Sequence, residues 1–599
     1  MKPTMEILAR ISKNSLANKE ESFTRLYRYL LRPDIYFVAY KNLYSNSGAA
    51  TRGVNSDTAD GFSEAKIARI IQSLTDETYQ PSPVRRTHIE KRDNPKKKRP
   101  LGIPTFTDKL VQEVLRMVLE AVYEPVFLTV SHGFRPKRSC HTALTSLKKE
   151  FNGTRWFIEG DIKGCFDNID HAVLVGLLHK KVKDARIIKL IYKFLKAGYM
   201  ENWQYHKTYS GAPQGAGCSP LLANVYLHEL DKFVMRLKTE FDRERAQRRN
   251  TDYTRNRQRN YRLSKRIEVA DGAEKARLMD EYEARRKELL KLPYTSQTDK
   301  NLKYIRYADD FIVGVKGSRE DCQWIKDKLT EFMSEVLKMQ LSEEKTLITH
   351  SSEYARFLGY DVRVRRSDEV KRGSRCNVKM RTLNNKVELL APLNDTIHKF
   401  IFSRKIAIQK DGGVLFPVHR TSLLHLTDLE IVSVYNAELR GICNYYGLAS
   451  NFYKLDYFAY LMEYSCLKTL AGKHKSNISK IITMFKDGTG KWGVPYETKD
   501  GKKRRYFAKH SDCKGRGFNT DVVNKAAIVY GYSINTLENR LKAKVCELCG
   551  TAESEHYEIH HVNKLKNLNG KQMWEKAMIA KRRKTLVVCR KCHHEIHNQ

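Results

Sequence analysis

The chain has 599 residues, 41% of them hydrophobic, with 109 Lys plus Arg against 69 Asp plus Glu and a formal net charge of +40. That length exceeds one hydrophobic core, so several domains are expected, and the apolar share is enough for globular folding. Such a charge excess destabilises a compact fold unless a polyanion offsets it, and because the basic residues run along the whole chain they read as an extended nucleic-acid surface, not as a basic tail.

The opening MKPTMEILARISKN carries no long apolar core and no small-residue cleavage site, so no secretory signal is expected. No run of 18 apolar residues occurs; no membrane partner is expected, and a cytoplasmic location is. Residues 1–60 read as helical and mixed, with a Gly/Ser/Asn-rich loop from Ser45 to Asn55. The spacing of Leu110, Val111, Val114, Leu115 and Val118 predicts a helix over 107–123. A strand is predicted over 154–162, a helix over about 171–199, and a hairpin over 302–315, where two apolar runs flank a polar turn. Residues 240–300 are almost wholly charged and polar with helical stretches, and two readings stay open: a solvated helical insertion or an RNA-binding one. The chain turns basic after 363, suggesting a boundary. A mostly helical region is expected to about 490, then a basic, aromatic, Gly-containing segment over 491–540.

Phosphoryl transfer to a growing strand uses two divalent metals about 3.5–4 Å apart, and these need carboxylates brought close together. Asp309 and Asp310 sit at the predicted hairpin turn, and Asp161 ends a separate apolar strand that a sheet could place alongside. The tetrad YADD at 307–310 resembles the catalytic motif of reverse transcriptases. So do EGDIKGCFDNIDH at 159–171, SGAPQGAGCSP at 210–220, RPLGIPTFTDKLVQE at 99–113, SHGFRPKRSCHTAL at 131–144 and ARFLGYDV at 355–362, all in the family's order. The longer motifs most resemble the reverse transcriptase–maturases encoded within bacterial group II introns. NLYSNSGAATRGVNSDTADGFS matches that branch's N-terminal extension, and RGICNYYGLASN at 440–451 its maturase region, domain X.

The resemblance implies that Asp161, Asp309 and Asp310 hold catalytic Mg²⁺. It makes Phe166 the steric gate against a ribose 2′-OH and places Gln214 along the incoming nucleotide. Arg99, with Lys96, Lys97 and Lys98 before it, is a candidate for triphosphate contact, and Lys345 for a place near the pyrophosphate. The family usually reads GTPQGG where this chain has Ala212 and Ala216 around the PQG.

Cys546-x-x-Cys549 and Cys589-x-x-Cys592 have the spacing of a four-thiolate structural Zn²⁺ site. Near them lie EIHHVN at 558–563 and CHHEIHNQ at 592–599. His593 and His597 share a helix face, whereas adjacent His560 and His561 face oppositely on a strand, so that one could bind metal and the other deprotonate water. This resembles an HNH nuclease motif. The resemblance makes His561 the general base and His560, His593 and His597 the ligands of a catalytic Mg²⁺. Lys584 and Thr585 stand where the motif usually has Asn, leaving Asn563 or Asn567 as candidate substitutes.

The expected fold is α/β. A right-hand polymerase (fingers and palm, 1–370) precedes a helical thumb or domain X (371–490), a DNA-binding segment (491–540) and a small zinc-containing HNH, ββα-metal, module (541–599). The implied function is threefold: RNA-directed DNA polymerase, splicing maturase, and endonuclease cutting the second target strand during intron mobility. The implied partners are the parent intron RNA, double-stranded target DNA and dNTPs, with a homodimer left open.

Overall fold

The computed structural model describes residues 3–598 apart from 47, 92–93, 212–216, 243–249, 293, 295–299, 368, 373–378, 382–383, 411, 499–500 and 514–535. Gln214, Ala212 and Ala216 therefore lie outside the described residues, as do the side chains of Lys96 and Lys97 and much of the segment expected to bind DNA.

Helix Phe106–Tyr123 forms where the apolar spacing puts it. Thr105 caps it, its hydroxyl accepting from Asp108 N at 3.2 Å. Nearly every residue of this helix is buried against Thr4–Ala17, Pro33–Tyr44 and Ser219–Phe241. The expected helix over 171–199 is two, His171–Lys181 and Ala185–Lys196. Asp184 breaks the run: its carboxylate accepts from Arg186 N at the second helix and from Tyr27 N, 157 residues away, at 2.8 Å. Lys181 and Lys183 meanwhile exchange backbone hydrogen bonds with Phe23.

The central sheet is antiparallel, in the order Asn301–Tyr307, Asp310–Lys316, Trp156–Asp161, Ile348–His350. Alternation along its strands sends Ile158, Phe311 and Val313 into one apolar core and Phe157, Ile305 and Ile312 into another. A second sheet contains the hairpin of Val84–Lys91 and Asn94–Ile103, with Tyr199–Glu201 and Gln204–His206 beyond it.

Residues 240–300 contain two helices, Thr251–Val269 and Gly272–Lys291, packed on each other with few buried side chains. The stretch expected to be mostly helical opens instead with strands. Val387–Leu390 pairs with Tyr360–Val364, burying Val387 and Leu389, and the long helices begin only at Asp428–Tyr445 and Leu455–Lys473.

At the C-terminus, strands Tyr557–His561 and Thr585–Cys589 pair antiparallel, and helix Arg590–Asn598 follows. The apolar side chains of this ββα unit join the same core as those of the N-terminal helices. Among the described residues no helix is long and apolar enough to cross a membrane.

Candidate functional site

Strand register brings the carboxylates of the central sheet together. Asp161 stands directly opposite Asp310, and Tyr307 pairs with Asp310, leaving Ala308 and Asp309 as a two-residue turn. Ala308 has φ +56° while Asp309 stays out of the positive region, the pattern of a type II′ hairpin turn, where glycine is usual. Neighbours hold this unfavourable backbone in place. Arg306, fully buried, donates from Nη1 to the Ala308 carbonyl at 2.9 Å and pairs at 2.7 Å through Nε and Nη2 with both oxygens of buried Asp231. Gly133 packs against the turn so closely that a Cβ there would lie 2.3 Å from Ala308 N. Gly160 leaves room for the Phe311 ring beside Asp161, where a Cβ would lie 2.1 Å from it.

Burial, then the charges of Asp309 and Asp161, push the Asp310 carboxyl up to about 7. Burial and Asp161 also raise Asp309, against the opposing charges of Arg99 and Lys345. Arg99, on strand Asn94–Ile103, thus acts on the carboxylate turn across the two sheets. Lys345 donates from Nζ to Asp161 Oδ2 at 2.8 Å, and that bond holds its ammonium above the usual lysine range. An all-oxygen set whose members repel one another fits a hard divalent cation such as Mg²⁺.

Phe166 is only 9% exposed and meets the Phe134 ring edge-on at 6.1 Å. Gly211 and Gly217, which flank the undescribed residues 212–216, are both held by hydrogen bonds. Gly211 N donates to Ile169 O at 2.8 Å, Gly217 N to Gln112 Oε1 at 2.9 Å, and a Cβ on Gly211 would strike the Phe166 carbonyl.

Two groups of side chains among the described residues bring one donor atom each within 4.8 Å of one another, and both draw mainly on the C-terminal unit. One is Cys546, Cys549, Cys589 and Cys592, the four cysteines that the spacing singled out. Cys549 Sγ and Cys589 Sγ are 3.9 Å apart. Tetrahedral zinc with Zn–S near 2.3 Å spaces its sulfurs about 3.8 Å apart, so the group fits. Burial pushes the Cys546 thiol up, but backbone N–H groups of Cys549, Cys589 and Leu548 outweigh it and bring it down to about 7.

The other group is His560, His593 and His597 with Asp60, a residue that no spacing rule in the sequence connects to them. Asp60 Oδ2 lies 2.7 Å from His597 Nε2 and 3.2 Å from His593 Nε2, and Oδ1 lies 3.2 Å from His560 Nδ1. Glu558 Oε2, 2.5 Å from His593 Nδ1, turns that ring's other nitrogen inward. Burial lowers the His593 imidazole, but Asp60 and Glu558 outweigh it and raise it to about 9. His560 is 4% exposed; its Nδ1 meets only the Asp60 carboxylate, in poor hydrogen-bond alignment, and among the described residues its Nε2 has no hydrogen-bond partner. Such an orphaned buried group costs about 1–3 kcal/mol unless something coordinates it, so the set fits a cation. Three imidazoles and one carboxylate suit a borderline transition ion better than the Mg²⁺ expected from the resemblance.

His561 faces the other way, as strand alternation requires. Its Nε2 lies 3.1 Å from the Tyr44 carbonyl, and its backbone N donates to Asp60 Oδ1 at 2.6 Å. The bonds that place it thus come from the N-terminal segment, not from Asn563 or Asn567. Burial holds its imidazole below the usual histidine range, which keeps it neutral and able to accept a proton.

Three family models match the chain: "Reverse transcriptase (RNA-dependent DNA polymerase)" over residues 89–241 and 277–362, "Type II intron maturase" over 384–530, and "AI2M/AI1M-like, HNH endonuclease" over 546–593. Group II intron-encoded protein LtrA of Lactococcus lactis subsp. cremoris is 66% identical over 599 residues, all of both chains. An uncharacterized 91 kDa protein in the cob intron of Schizosaccharomyces pombe is 36% identical, over 95% of this chain and 69% of that one. A putative COX1/OXI3 intron 2 protein of Saccharomyces cerevisiae is 32% identical, over 98% and 68%.

Proposed function

The chain belongs to the group II intron-encoded proteins, and on that premise we propose how its residues divide the family's three activities. It is an RNA-directed DNA polymerase, an intron maturase and an HNH endonuclease. It assists splicing of its parent intron RNA, nicks the second strand of the DNA target, and copies the inserted intron from the new 3′ end. The proposed division gives residues 1–370 to fingers and palm, 371–490 to the thumb or domain X, 491–540 to DNA binding and 541–599 to the nuclease.

The observation that carries the polymerase assignment is the register: Asp161 opposite Asp310, with Asp309 in the adjoining turn. These three carboxylates would hold Mg²⁺, which when bound activates the primer hydroxyl and neutralises the leaving pyrophosphate. Lys345, now on Asp161, is within reach of that pyrophosphate once a cation replaces its ammonium. Arg99 binds the triphosphate of the incoming dNTP, Gln214 lines its base or sugar, and the Phe166 ring excludes a 2′-OH.

In the nuclease, His560, His593 and His597 would hold the metal, which stabilises charge on the leaving oxygen. His561, its Nε2–H directed at the Tyr44 carbonyl, takes a proton from water at Nδ1. The four cysteines hold a structural Zn²⁺ that ties the start of the unit to its last strand and helix. The test is a parallel assay of Asp161→Ala and His593→Ala in the assembled ribonucleoprotein. With synthesis read from a supplied primer on an RNA template and nicking on a DNA target, the first is expected to lose DNA synthesis and keep nicking; the second, the reverse. Loss of both activities in either variant would refute this division.

A further inference from the structure

The nuclease strand Tyr557–His561 has two edges. One pairs with Thr585–Cys589. The other is taken by the N-terminal segment: Gly61 N donates to Ile559 O at 3.0 Å, and Ile559 N to Phe62 O at 2.9 Å. Phe62 is fully buried and stacks on Tyr40 at 4.1 Å, so the body of the polymerase fixes this β-bridge. The register of the docking puts Asp60 among three imidazoles and the Tyr44 carbonyl against the base.

We propose that the nuclease active site is composite. Asp60 of the N-terminal segment is the fourth ligand of its metal, and Tyr44, through its carbonyl, is a positioning residue for the general base. This rests on the reading of His560, His593 and His597 as metal ligands. Three neutral imidazoles alone leave a divalent ion with its full charge in a half-buried site. One carboxylate, its oxygens divided between the histidines, halves that charge and adds a hard donor. Asp60 Oδ1 also receives the His561 amide, so a single side chain links the metal position to the base. The Tyr44 carbonyl can be bonded only by the Nε2–H tautomer, which leaves the Nδ1 lone pair for water.

The same docking builds the substrate cleft. A cavity of about 870 Å³ is lined by His561, His593 and His597 together with Arg52, Arg69 and Lys66 of the N-terminal segment, Lys66 being paired with Asp57. Cations beside a metal are suited to a phosphodiester. The module cuts, on this account, only while docked on the polymerase, which couples second-strand nicking to the body that performs synthesis.

Mn²⁺ is the probe, titrated into the zinc-loaded full-length protein and followed by electron paramagnetic resonance. Imidazole ligands give ¹⁴N couplings that the all-carboxylate palm site cannot, so the two sites separate in one sample. Asp60→Asn keeps an oxygen for the His561 amide and removes the charge; Asp60→Ala removes both. Both are expected to weaken ¹⁴N-coupled Mn²⁺ at least about tenfold, with zinc content unchanged and nicking lost in step. Unchanged Mn²⁺ affinity in Asp60→Asn overturns the proposal, since Asp60 then serves docking alone. Tighter affinity overturns it too, because Asp60 would then be an ion pair competing with the metal. His593→Ala is the control: if it leaves the affinity of the ¹⁴N-coupled Mn²⁺ unchanged, the histidine reading itself has failed, and not only the role of Asp60.

Discussion

The palm site and the nuclease histidine site of this chain are built in opposite ways. In the palm, three carboxylates lie on adjoining positions of one sheet, yet they are not among the groups that close to within 4.8 Å, and Lys345 is bonded to one of them. In the nuclease, three imidazoles and a carboxylate do close to that distance, although Asp60 comes from 537 residues before His597. The charges account for the difference. Three like charges come together only with help: Lys345 bonds Asp161, and a shared hydrogen bond joins Asp161 to Asp310, so a lysine or a proton stands in for the cation. A single carboxylate surrounded by imidazoles attracts all of them, so the site is gathered by its own polar contacts.

The strongest way to break this comparison is to remove one member of each site. Asp309→Ala or Asp310→Ala should lower RNA-templated DNA synthesis at least about 10³-fold, several kcal/mol of lost charge stabilisation, and leave intron RNA binding near wild type. Measurable synthesis by Asp310→Ala would remove it from the ligand set. His561→Ala should cost second-strand nicking about 10²–10⁴-fold and spare synthesis from a supplied primer. Its zinc content should stay normal, whereas Cys546→Ser or Cys589→Ser should release zinc and unfold the module; His561→Ala that loses zinc would make the histidine structural. Phe166→Ala should lower discrimination against ribonucleotides by roughly 10–100-fold, with single-nucleotide incorporation as the measure. Because Phe166 packs edge-on to Phe134, unchanged selectivity together with a lower melting temperature would reassign it to the core.

What the sequence made legible follows the same divide. Neighbouring strands carry the palm carboxylates, and the apolar runs around YADD and before Asp161 reveal those strands by their own composition. The Cys pairs are likewise local. Asp60 and Tyr44 are invisible because nothing in NLYSNSGAATRGVNSDTADGFS marks them as partners of residues 560 and 561; only a β-bridge at a distant strand edge joins them. Nor could composition show that Arg306, between two apolar residues in sequence, would be wholly buried to hold the Ala308 carbonyl, since arginine is rarely buried without a partner such as Asp231. The break at Asp184 was missed for a related reason: its long-range bond to Tyr27 outweighs the helical spacing around it.

The smallest expected effect tests the electrostatic argument itself, in protein that keeps its zinc but has no other divalent ion added. The Asp310 carboxyl is pushed up to about 7 by burial and by its acidic neighbours. A group so raised favours its neutral form in the fold, so its ionised form is a cost that is full above pH 7 and gone below the ordinary carboxylate range near 4. Asp310→Asn should therefore stabilise the protein by about 1–3 kcal/mol at pH 8, a discounted share of the full shift because three carboxylates share it, and the gain should vanish toward pH 4–5. The nuclease should show the opposite sign. His593 is raised to about 9 by Asp60 and Glu558, a stabilisation fully present below the ordinary histidine pKa near 6.5 and lost as pH rises through 9. Asp60→Asn should then lower the melting temperature at pH 6 and do so less at pH 9.5. Thermal unfolding of the two variants and the parent across pH 5–9.5 measures both trends, with other titrating groups cancelling in the differences. If Asp310→Asn is no more stable than the parent at pH 8, solvent screens the palm carboxylates from one another, and neither burial nor repulsion raises Asp310.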